Sequence, residues 1–304
     1  MDSSIGYGHI LVPTDMSDFA DQAIRYAGLI ATRLGSRVTL LYADEAYFPI
    51  DVLEFPLGYA LEHSGDTTVK MHERLRATAS DLLPSVHVEA VVMRDTPARA
   101  ILRTANDVHA NLIIMGTHGR HGWRRALLGS VTETVLHQSD RPLITVTPGV
   151  FTAAQQPQIR SVLCPVNFTF IARESLHHAC AIASAFDAEL IIVYVAEGIQ
   201  PPRLPEVEAA FSLWVEPALR GRARYRLSVA GEGDPAEGVL AAARDVHADL
   251  IVLGAQHRFF SDATVIGTTT ERITRFARCP VMTIVRPAQA ETHVRDREEE
   301  LALV

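Results

Sequence analysis

An internal repeat constrains this chain more than any other feature of its sequence. The stretch Asp107–Ile113 (DVHANLI) recurs as Asp245–Ile251 (DVHADLI), at a spacing of 138 residues (Asp107 to Asp245). Earlier in each copy, residues 10–15 (ILVPTD) match residues 162–167 (VLCPVN), at a spacing of 152 residues (Asp15 to Asn167). The first copy therefore carries extra chain, which falls between about residues 45 and 90. Because repeated sequence indicates repeated structure, we predict a duplicated domain with one enlarged connection.

The two copies meet in a stretch that has the composition of a linker. Residues 148–159 are rich in Pro, Gln and Ala, and a chain of 304 residues is long enough for two ordinary domains. We therefore predict a first domain over residues 1–148 and a second over residues 157–287. The remaining segment, residues 288–304, is dominated by charged side chains and is predicted to be a tail without a packed core.

Each copy alternates apolar strands with amphipathic helices. In the first copy we predict strands at 9–14, 37–43, 86–92, 111–115 and 142–147, and helices at 17–34, 67–82, 97–109 and 130–139. In the second copy we predict strands at 160–166, 188–195, 223–229, 249–253 and 280–285, and helices at 172–186, 205–220, 235–247 and 268–277. Ser17 is a predicted helix N-cap and Gly35 a predicted helix stop.

Continuous Val, Ile and Leu strands between amphipathic helices are typical of a parallel sheet that is covered on both faces. We predict the α/β class, with two tandem doubly wound, Rossmann-like, parallel five-stranded sheets. In such folds ligands bind at the carboxyl ends of the strands, where the strand order reverses. Asp15 follows the first strand and Gly116 ends the fourth, so both are expected at one crevice.

The composition limits which binding partners and which cellular compartment we expect for this chain. The net charge of −8 argues against a general nucleic-acid-binding surface, and no apolar run approaches the roughly 20 residues that span a bilayer. No secretory signal is apparent in the first ten residues. Three widely spaced cysteines, an odd number, favour buried free thiols in a reducing cytoplasm over a disulfide framework; they are Cys164, Cys180 and Cys279.

The glycine-rich stretch after the fourth strand is a candidate anion site. Gly116 and Gly119 let the chain turn sharply and approach a ligand without a Cβ in the way. Gly129 and Ser130 stand where the next helix is predicted to start, so its free N–H groups would face a bound phosphate. Nearby basic side chains would favour an anion; they are Arg120, Arg124 and Arg125.

The alternative interpretation is a glycine-rich turn with a helix cap. Ser130 and Glu133 have the spacing of a capping box, and Thr268 and Glu271 repeat it in the second copy. The two interpretations are compatible, because the cap and the anion site use the same free amides. Three glycines and a hydroxyl, between a buried strand and a helix, favour the anion site.

Asp15 is the second candidate. A carboxylate at the end of a strand can accept hydrogen bonds from a ribose hydroxyl or from the amino group of a base. The alternative is a turn or cap aspartate in the segment TDMSD, and the neighbouring glycine loop favours the ligand-binding interpretation. His118 could donate to a phosphate, although a lone loop histidine is as easily explained as a solvated side chain.

The sequence offers no recognisable catalytic machinery and no metal constellation. It contains no Gly-Lys-Ser/Thr, no Gly-x-Gly-x-x-Gly, no Gly-x-Ser-x-Gly, no Cys-x-x-Cys and no His-Glu-x-x-His. His177 and His178 are adjacent, so on a helix they point about 100° apart and do not form a metal pair. Trp123 and Trp214 are interpreted as packing residues. We therefore predict no catalytic residues and no protein-only metal site.

These motifs resemble the ATP-binding branch of the universal stress protein family. The resemblance rests on Pro13-Thr14-Asp15 after the first strand and on Gly116-x-x-Gly119, nine residues, then Gly129-Ser130, and it covers both halves of the chain. It implies a tandem member with an adenine nucleotide alpha hydrolase-like fold that binds ATP. A divalent ion such as Mg²⁺ often accompanies ATP in that family, although this sequence shows no dedicated ligand set for one. The nucleotide-binding residues that the resemblance implies are Pro13, Thr14, Asp15, Ala43, Met115, Gly116, His118, Gly119, Gly129, Ser130 and Val131.

The second copy departs from this pattern. Asn167 replaces Asp15, and His257 stands at the position of Gly119. If that position needs a positive φ, a non-glycine residue would strain the turn by about 1 kcal/mol. The sequence thus predicts an intact nucleotide motif in the first domain and a degenerate one in the second.

Three functions are compatible with the sequence. The first is a cytoplasmic ATP-binding regulator in which the nucleotide changes conformation or the binding of an unidentified protein partner. The second is an interaction or scaffold module without nucleotide, and the third is a slow ATPase. The short β-branched last strands, 143–146 and 281–284, are expected to pair at a sheet edge, which would give an intramolecular pseudo-dimer and leaves a homodimer open.

Overall fold

The computed structural model describes residues 6–45, 57–117, 128–150, 157–195, 204–214, 224–230, 233–255, 257–260 and 263–285. For 57–67, 230, 257–260 and 263–266 only the backbone is described. The chain divides into two compact units. One comprises Gly6–Val135, and the other comprises Leu136–Val150 together with the chain from Gln158 onward. They are called the N-terminal and C-terminal units below, and the helices and strands are numbered in chain order.

The N-terminal unit is built around four parallel strands. Its elements are β1 (His9–Pro13), α1 (Asp18–Leu34), β2 (Arg37–Ala43), α2 (Leu57–Leu82), β3 (Val88–Met93), α3 (Pro97–Asp107), β4 (Leu112–Gly116) and the start of α4 (Ser130–Gln138). The strand order is β3-β2-β1-β4. From β1 the chain adds β2 and β3 on one side and then crosses over to add β4 on the other side, so the direction of strand addition reverses at β1. This is the topological switch point at which doubly wound folds bind their ligands.

The C-terminal unit repeats this arrangement and adds strands. Its elements are β5 (Leu143–Val146), β6 (Ser161–Val166), α5 (Phe170–Phe186), β7 (Glu189–Val195), α6 (Leu204–Trp214), β8 (Tyr225–Ala230), α7 (Pro235–Asp245), β9 (Leu250–Ala255), β10 (His257–Phe260), β11 (Ala263–Ile266), α8 (Thr268–Phe276) and β12 (Val281–Val285). The strand order is β5-β12-β9-β6-β7-β8, parallel except for β5, which runs antiparallel to β12. The α/β class predicted from the sequence is thereby confirmed.

Strand β9 shows that helices cover both faces of the sheet in this unit. Ile251 and Leu253 belong to a buried core that includes Val239 of α7 and Ile273 of α8. Side chains alternate between faces along a strand, so Gly254 belongs to the opposite face. There a Cβ added at Gly254 would contact the helix α5. A doubly wound arrangement follows.

The local signals at the helix ends are confirmed. Ser17 caps α1, because its Oγ accepts a hydrogen bond from the Ala20 amide at 3.2 Å. Gly35 ends α1 with φ 69°, and its amide donates to the Ala31 carbonyl. In the second repeat Thr169 caps α5 in the same way, accepting from the Ala172 amide at 3.4 Å.

Several expectations need correction. Helix α2 begins at Leu57, ten residues before the predicted start, so the extra chain of the first repeat lengthens a helix. The strand 143–146 lies in the C-terminal unit, where it pairs antiparallel with β12. That pairing itself confirms that the two last strands satisfy each other. The hairpin of β10 and β11 was not predicted.

Two general expectations are met within the described residues. Cys164, Cys180 and Cys279 are all free and buried. Among the helices that the structure describes, none combines the length and the apolar composition that crossing a membrane requires.

Candidate functional site

The carboxyl ends of β1, β2 and β4 lie side by side in the N-terminal unit. Strand β1 pairs with β4 through Ile10 and Leu112, and with β2 through Pro13 and Leu41. Extending these parallel registers places Asp15 level with Ala43 on one side and with Thr117 on the other. Three predicted segments that are distant in sequence therefore meet at the switch point of the sheet.

Asp15 is held in a tight turn between β1 and α1. Its Oδ1 atom accepts a hydrogen bond from the Ser17 amide at 3.1 Å and another from Ser17 Oγ at 2.5 Å. The Ser17 hydroxyl in turn caps α1 through Ala20. The carboxylate is half-buried and lies beside the N-terminus of α1.

The residues on either side of Asp15 are equally constrained. Thr14 is buried, and its amide donates to the Leu41 carbonyl at 2.8 Å. Met16 adopts a left-handed backbone, φ 63°, which is uncommon for a side chain of this size. Its amide donates to Thr14 Oγ1 at 3.0 Å, and its sulfur lies 3.9 Å from the same hydroxyl oxygen. The turn is therefore held by hydrogen bonds from both neighbours of Asp15.

The two described ends of the glycine-rich loop are fastened together beside this turn. The Gly129 amide donates to the Thr117 carbonyl at 2.8 Å, and Thr132 Oγ1 donates to the Gly116 carbonyl at 2.9 Å. Leu128 and Thr117 are buried, whereas Ser130 is exposed at the first residue of α4. These contacts fix the N-terminus of α4 at the carboxyl end of β4.

Part of the predicted site lies outside the described residues. This applies to His118 and Gly119, and also to Arg120, Arg124 and Arg125. Of the remaining candidates, Met115 is buried, and Pro13, Ala43, Gly116, Gly129 and Val131 are half-buried. The structure brings these residues to the same edge of the N-terminal unit.

The capping box predicted for the second repeat is wrong. Gly267, not Thr268, is the N-cap of α8, and it makes no side-chain cap hydrogen bond. The Glu271 carboxylate pairs instead with Arg275 on the same helix, at 2.5 Å. In both repeats a glycine therefore comes directly before the helix, and a threonine two residues into the helix donates to the end of the preceding strand.

Asp44 and Arg94 were missed by sequence reasoning. Asp44 follows β2 directly, is buried, and has Oδ2 at 4.0 Å from Arg94 Nε; Arg94 Nη2 also donates to Thr68 Oγ1 of α2 at 3.0 Å. The position of Asp44 at a strand's carboxyl end, one residue after Ala43, is the signal that could have revealed it. A second carboxylate thus lies at the edge that carries Asp15.

The second repeat keeps the turn but changes its chemistry. Asn167 Oδ1 accepts from Thr169 Oγ1 at 2.7 Å and from the Thr169 amide at 3.4 Å, which reproduces the contacts of Asp15 without its charge. Val166 replaces Thr14, and Phe168 repeats the left-handed backbone of Met16 with φ 60°.

The loop after β9 differs in backbone from the expectation. His257 is the first residue of strand β10, which pairs with β11 from His257–Ile266 to Phe260–Ala263. The positive φ considered for this position does not arise there, because the segment is part of a hairpin. Backbone groups that could have faced an anion are instead committed to a two-stranded ladder.

Within the part of the chain that the structure describes, no three His, Cys, Asp or Glu side chains form a group that could hold a metal ion.

Comparison with known proteins gives a consistent picture. The sequence model described as the Universal stress protein family matches residues 6–147 and 158–286. A universal stress protein of Mycolicibacterium smegmatis is 26% identical over 309 residues, covering 94% of this chain and 99% of the relative. The crystal structure of a universal stress protein from Archaeoglobus fulgidus covers 92% of this chain and 99% of its own, with a TM-score of 0.69 and 20% identity, which shows the same fold. A universal stress protein solved in complex with cAMP is 25% identical over 47% of this chain and 98% of its own, with a TM-score of 0.32, too low to bear on the ligand here.

Proposed function

The chain belongs to the universal stress protein family, and from this premise we propose that its N-terminal repeat binds ATP. In this proposal the chain acts as a cytoplasmic stress-response regulator, and nucleotide occupancy changes its conformation or its binding to a protein partner. The proposal places the intact nucleotide motif in residues 1–148 and a degenerate motif in residues 157–287.

The closure of the glycine-rich loop beside Asp15 is the observation that carries the proposal. The Gly129–Thr117 hydrogen bond holds the N-terminus of α4 at the end of β4, one strand away from the Asp15 turn. Helix N-termini attract phosphates, because their first amides lack intrahelical partners and the helix dipole is positive there. A carboxylate and an anion site at neighbouring strand ends match the two ends of a nucleotide.

Each predicted residue has a role in the proposal. Asp15 accepts hydrogen bonds from the ribose or the base, while Ala43, Met115 and Gly116 line the nucleoside. Backbone amides around the loop and the start of α4 would hold the phosphates, and Mg²⁺, where it is present, would neutralise part of their charge. The full set of proposed nucleotide-binding residues is Pro13, Thr14, Asp15, Ala43, Met115, Gly116, His118, Gly119, Gly129, Ser130 and Val131.

A role as an interaction module without nucleotide is the second candidate, and one observation favours it for the second repeat alone. There Asn167 removes the charge, and the hairpin β10–β11 replaces the open loop. We therefore assign nucleotide binding to the N-terminal repeat and a structural or partner-binding role to the C-terminal repeat. A slow ATPase is the remaining alternative, and it requires an acid or base outside these motifs.

Isothermal titration of the full chain with ATP and Mg²⁺ tests the proposal. We expect one ATP per chain, because only the N-terminal repeat keeps the motif. Mass spectrometry of any ligand released from the purified protein identifies the nucleotide that it carries. Two ATP molecules per chain would overturn the asymmetry, and no binding of ATP would overturn the proposal. ADP release that scales with protein concentration and is lost in Gly119→Ala would favour the ATPase.

A further inference from the structure

A cluster of aromatic side chains lies at the carboxyl end of β6 and β7 in the C-terminal unit. The ring of Phe168 stacks on that of Tyr194, with centroids 5.2 Å apart and an interplanar angle of 28°. Trp214 of α6 meets Phe168 edge-on at 5.5 Å, and Phe211 lies 6.2 Å from Trp214. Stacked and edge-to-face pairs at these distances stabilise a fold beyond the apolar area that they bury.

The cluster has a defined equivalent in the N-terminal repeat. The repeat spacing of 152 residues places Phe168 on Met16 and Tyr194 on Tyr42. Phe168 therefore occupies the position equivalent to Met16, the residue after Asp15, and has the same left-handed backbone conformation. From that position its ring lies across the end of the neighbouring strand, where the proposed nucleoside lies in the N-terminal repeat.

The side chain at position 16 follows a different course. Met16 Sδ lies 3.9 Å from Thr14 Oγ1, back toward its own strand. The second repeat has Val166 in place of Thr14, so this contact has no counterpart and the aromatic ring packs on Tyr194 instead. The replacement of Thr14 by Val166 therefore accompanies the different direction of the side chain two residues later.

Helices α5 and α6 contact each other beside this aromatic cluster. Arg173 of α5 places its guanidinium carbon 5.4 Å from the centre of the Trp214 ring, a cation–π contact that ties α5 to α6. In the N-terminal repeat, helix α2 stands in the place of α6, and its described side chains, residues 68–82, include no Phe, Tyr or Trp. Among the described side chains, the ring that α6 places against Phe168 therefore has no counterpart on α2.

We infer that Phe168, which stacks on Tyr194 and meets Trp214 edge-on, occupies in the C-terminal repeat the space that a nucleoside occupies in the N-terminal repeat. The C-terminal repeat is then held together by its own side chains and needs no ligand, whereas the N-terminal repeat responds to one. The position of the nucleoside rests on the proposed function; the packing role of Phe168 does not.

The substitution Met16→Phe in the full chain tests the position. Phe168 shows that phenylalanine is accommodated at this turn, so the variant is expected to fold. The new ring would stack over Tyr42 and exclude the base, and we expect ATP affinity to fall by about tenfold or more in calorimetric titration. Met16→Leu, which has a similar volume and no ring, is the control and should bind ATP like the wild type. Unchanged affinity in a folded Met16→Phe protein would overturn the inference.

The substitution Phe168→Ala tests the packing role without any nucleotide. The chain has two tryptophans, Trp123 and Trp214, so a Trp123→Phe background makes Trp214 the only indole reporter. In urea we expect Phe168→Ala to move the Trp214 transition to lower denaturant, and to lower its thermal midpoint by about 5 °C. Leu213→Ala, a neighbour on α6 that is 90% exposed, should leave both midpoints unchanged.

The Met16→Phe and Phe168→Ala experiments together distinguish failure of the inference from failure of the proposed function. If the wild type binds no ATP, the proposed function fails, and the Phe168→Ala transition still reports whether the cluster holds the repeat together. If Phe168→Ala behaves like Leu213→Ala, the packing role is overturned. If Phe168→Ala raises the stoichiometry to two ATP per chain, the ring is shown to be what excludes the second nucleotide.

Discussion

Asp15 and Asn167 occupy equivalent positions at the ends of the first strands of the two repeats, one with a carboxylate and the other with a neutral amide. Asp15 and Asn167 make the same turn, since each accepts a hydrogen bond from the hydroxyl two residues later, at 2.5 Å and 2.7 Å. The turn therefore does not require a charge. A carboxylate does differ from an amide toward a ligand, because it only accepts hydrogen bonds and forms stronger ones.

We expect Asp15→Asn to leave the fold intact and to weaken ATP binding by roughly 10- to 100-fold, the range for loss of a charged hydrogen bond. Isothermal titration of the full chain measures it. The reciprocal change Asn167→Asp is the matched control and should keep one ATP per chain. Equal affinities for wild type and Asp15→Asn would remove Asp15 from the site.

Two histidines give the fold a sensitivity to acid. His9 is buried, with Nδ1 donating to the Val108 carbonyl at 2.8 Å and Nε2 at 2.8 Å from Thr39 Oγ1, and burial lowers its pKa. Burial, followed by the nearby charge of His177, lowers the pKa of His178 from 6.5 to about 4. Both side chains are neutral in the folded protein near neutral pH.

Between pH 6.5 and about 4 the unfolded chain binds more protons at His178 than the folded chain does, so the free energy of unfolding falls as the pH is lowered through this range. Urea unfolding at a series of pH values should show this slope, and His178→Gln should flatten it. His87→Gln, at an exposed histidine, provides the comparison. A slope that persists in full in His178→Gln would contradict the assignment.

The packing of helix α5 against strand β9 explains the glycine at position 254. A Cβ at Gly254 would lie 2.6 Å from Ile171 Cγ1, 2.9 Å from Ser175 Oγ and 3.0 Å from the Ile171 carbonyl oxygen. The glycine allows α5 to pack closely on β9. Its match to Gly116 in the sequence therefore reflects packing in the second repeat, without reference to any ligand.

Gly254→Ala is expected to destabilise the C-terminal unit by about 1–3 kcal/mol, because part of the clash is with backbone that cannot move aside. Chemical denaturation followed at Trp214 measures the change. Gly267→Ala, where a Cβ meets nothing within 4 Å, should cost about 1 kcal/mol or less, the effect of alanine at an N-cap. The interpretation fails if the two variants are equally destabilised.

For the chain as a whole, the ladder between β5 and β12 reflects the duplication. Ile144 pairs with Met282, its own equivalent at the repeat spacing of 138 residues, and Leu143 pairs with Thr283 while Thr145 pairs with Val281. The ladder is therefore symmetric about the Ile144–Met282 pair. Two identical β5 strands could pair in the same register.

A fragment that ends at Pro148 would retain β5 without its partner. The edge that β5 presents to β12 would then be open, and an open apolar edge is a template for another copy. We therefore expect this fragment to dimerise, whereas in the full chain the same edge pairs with β12. Light scattering after size-exclusion chromatography measures the mass, and Ile144→Lys in the fragment should restore the monomer. A monomeric fragment with intact helical circular dichroism would contradict this prediction.

The sequence by itself determined the features that depend on near neighbours. The alternation of strands and helices, the Ser17 cap and the Gly35 stop depend on hydrogen bonding and side-chain periodicity that are set locally, and the duplication is visible directly as repeated sequence. The sequence also brought Asp15 and the glycine loop to one edge, because parallel strands end at the same side of a sheet.

Only the tertiary structure decided the contacts between segments that are far apart in the chain. Phe168 meets Trp214, and Asp44 meets Arg94, and no local pattern predicts either contact. The physical reason is that each depends on which side chains the sheet places side by side at the strand ends. Two repeats with nearly the same sequence pattern therefore differ at this edge: the Asp15 turn lies there in one repeat, and the rings of Phe168, Tyr194 and Trp214 pack there in the other.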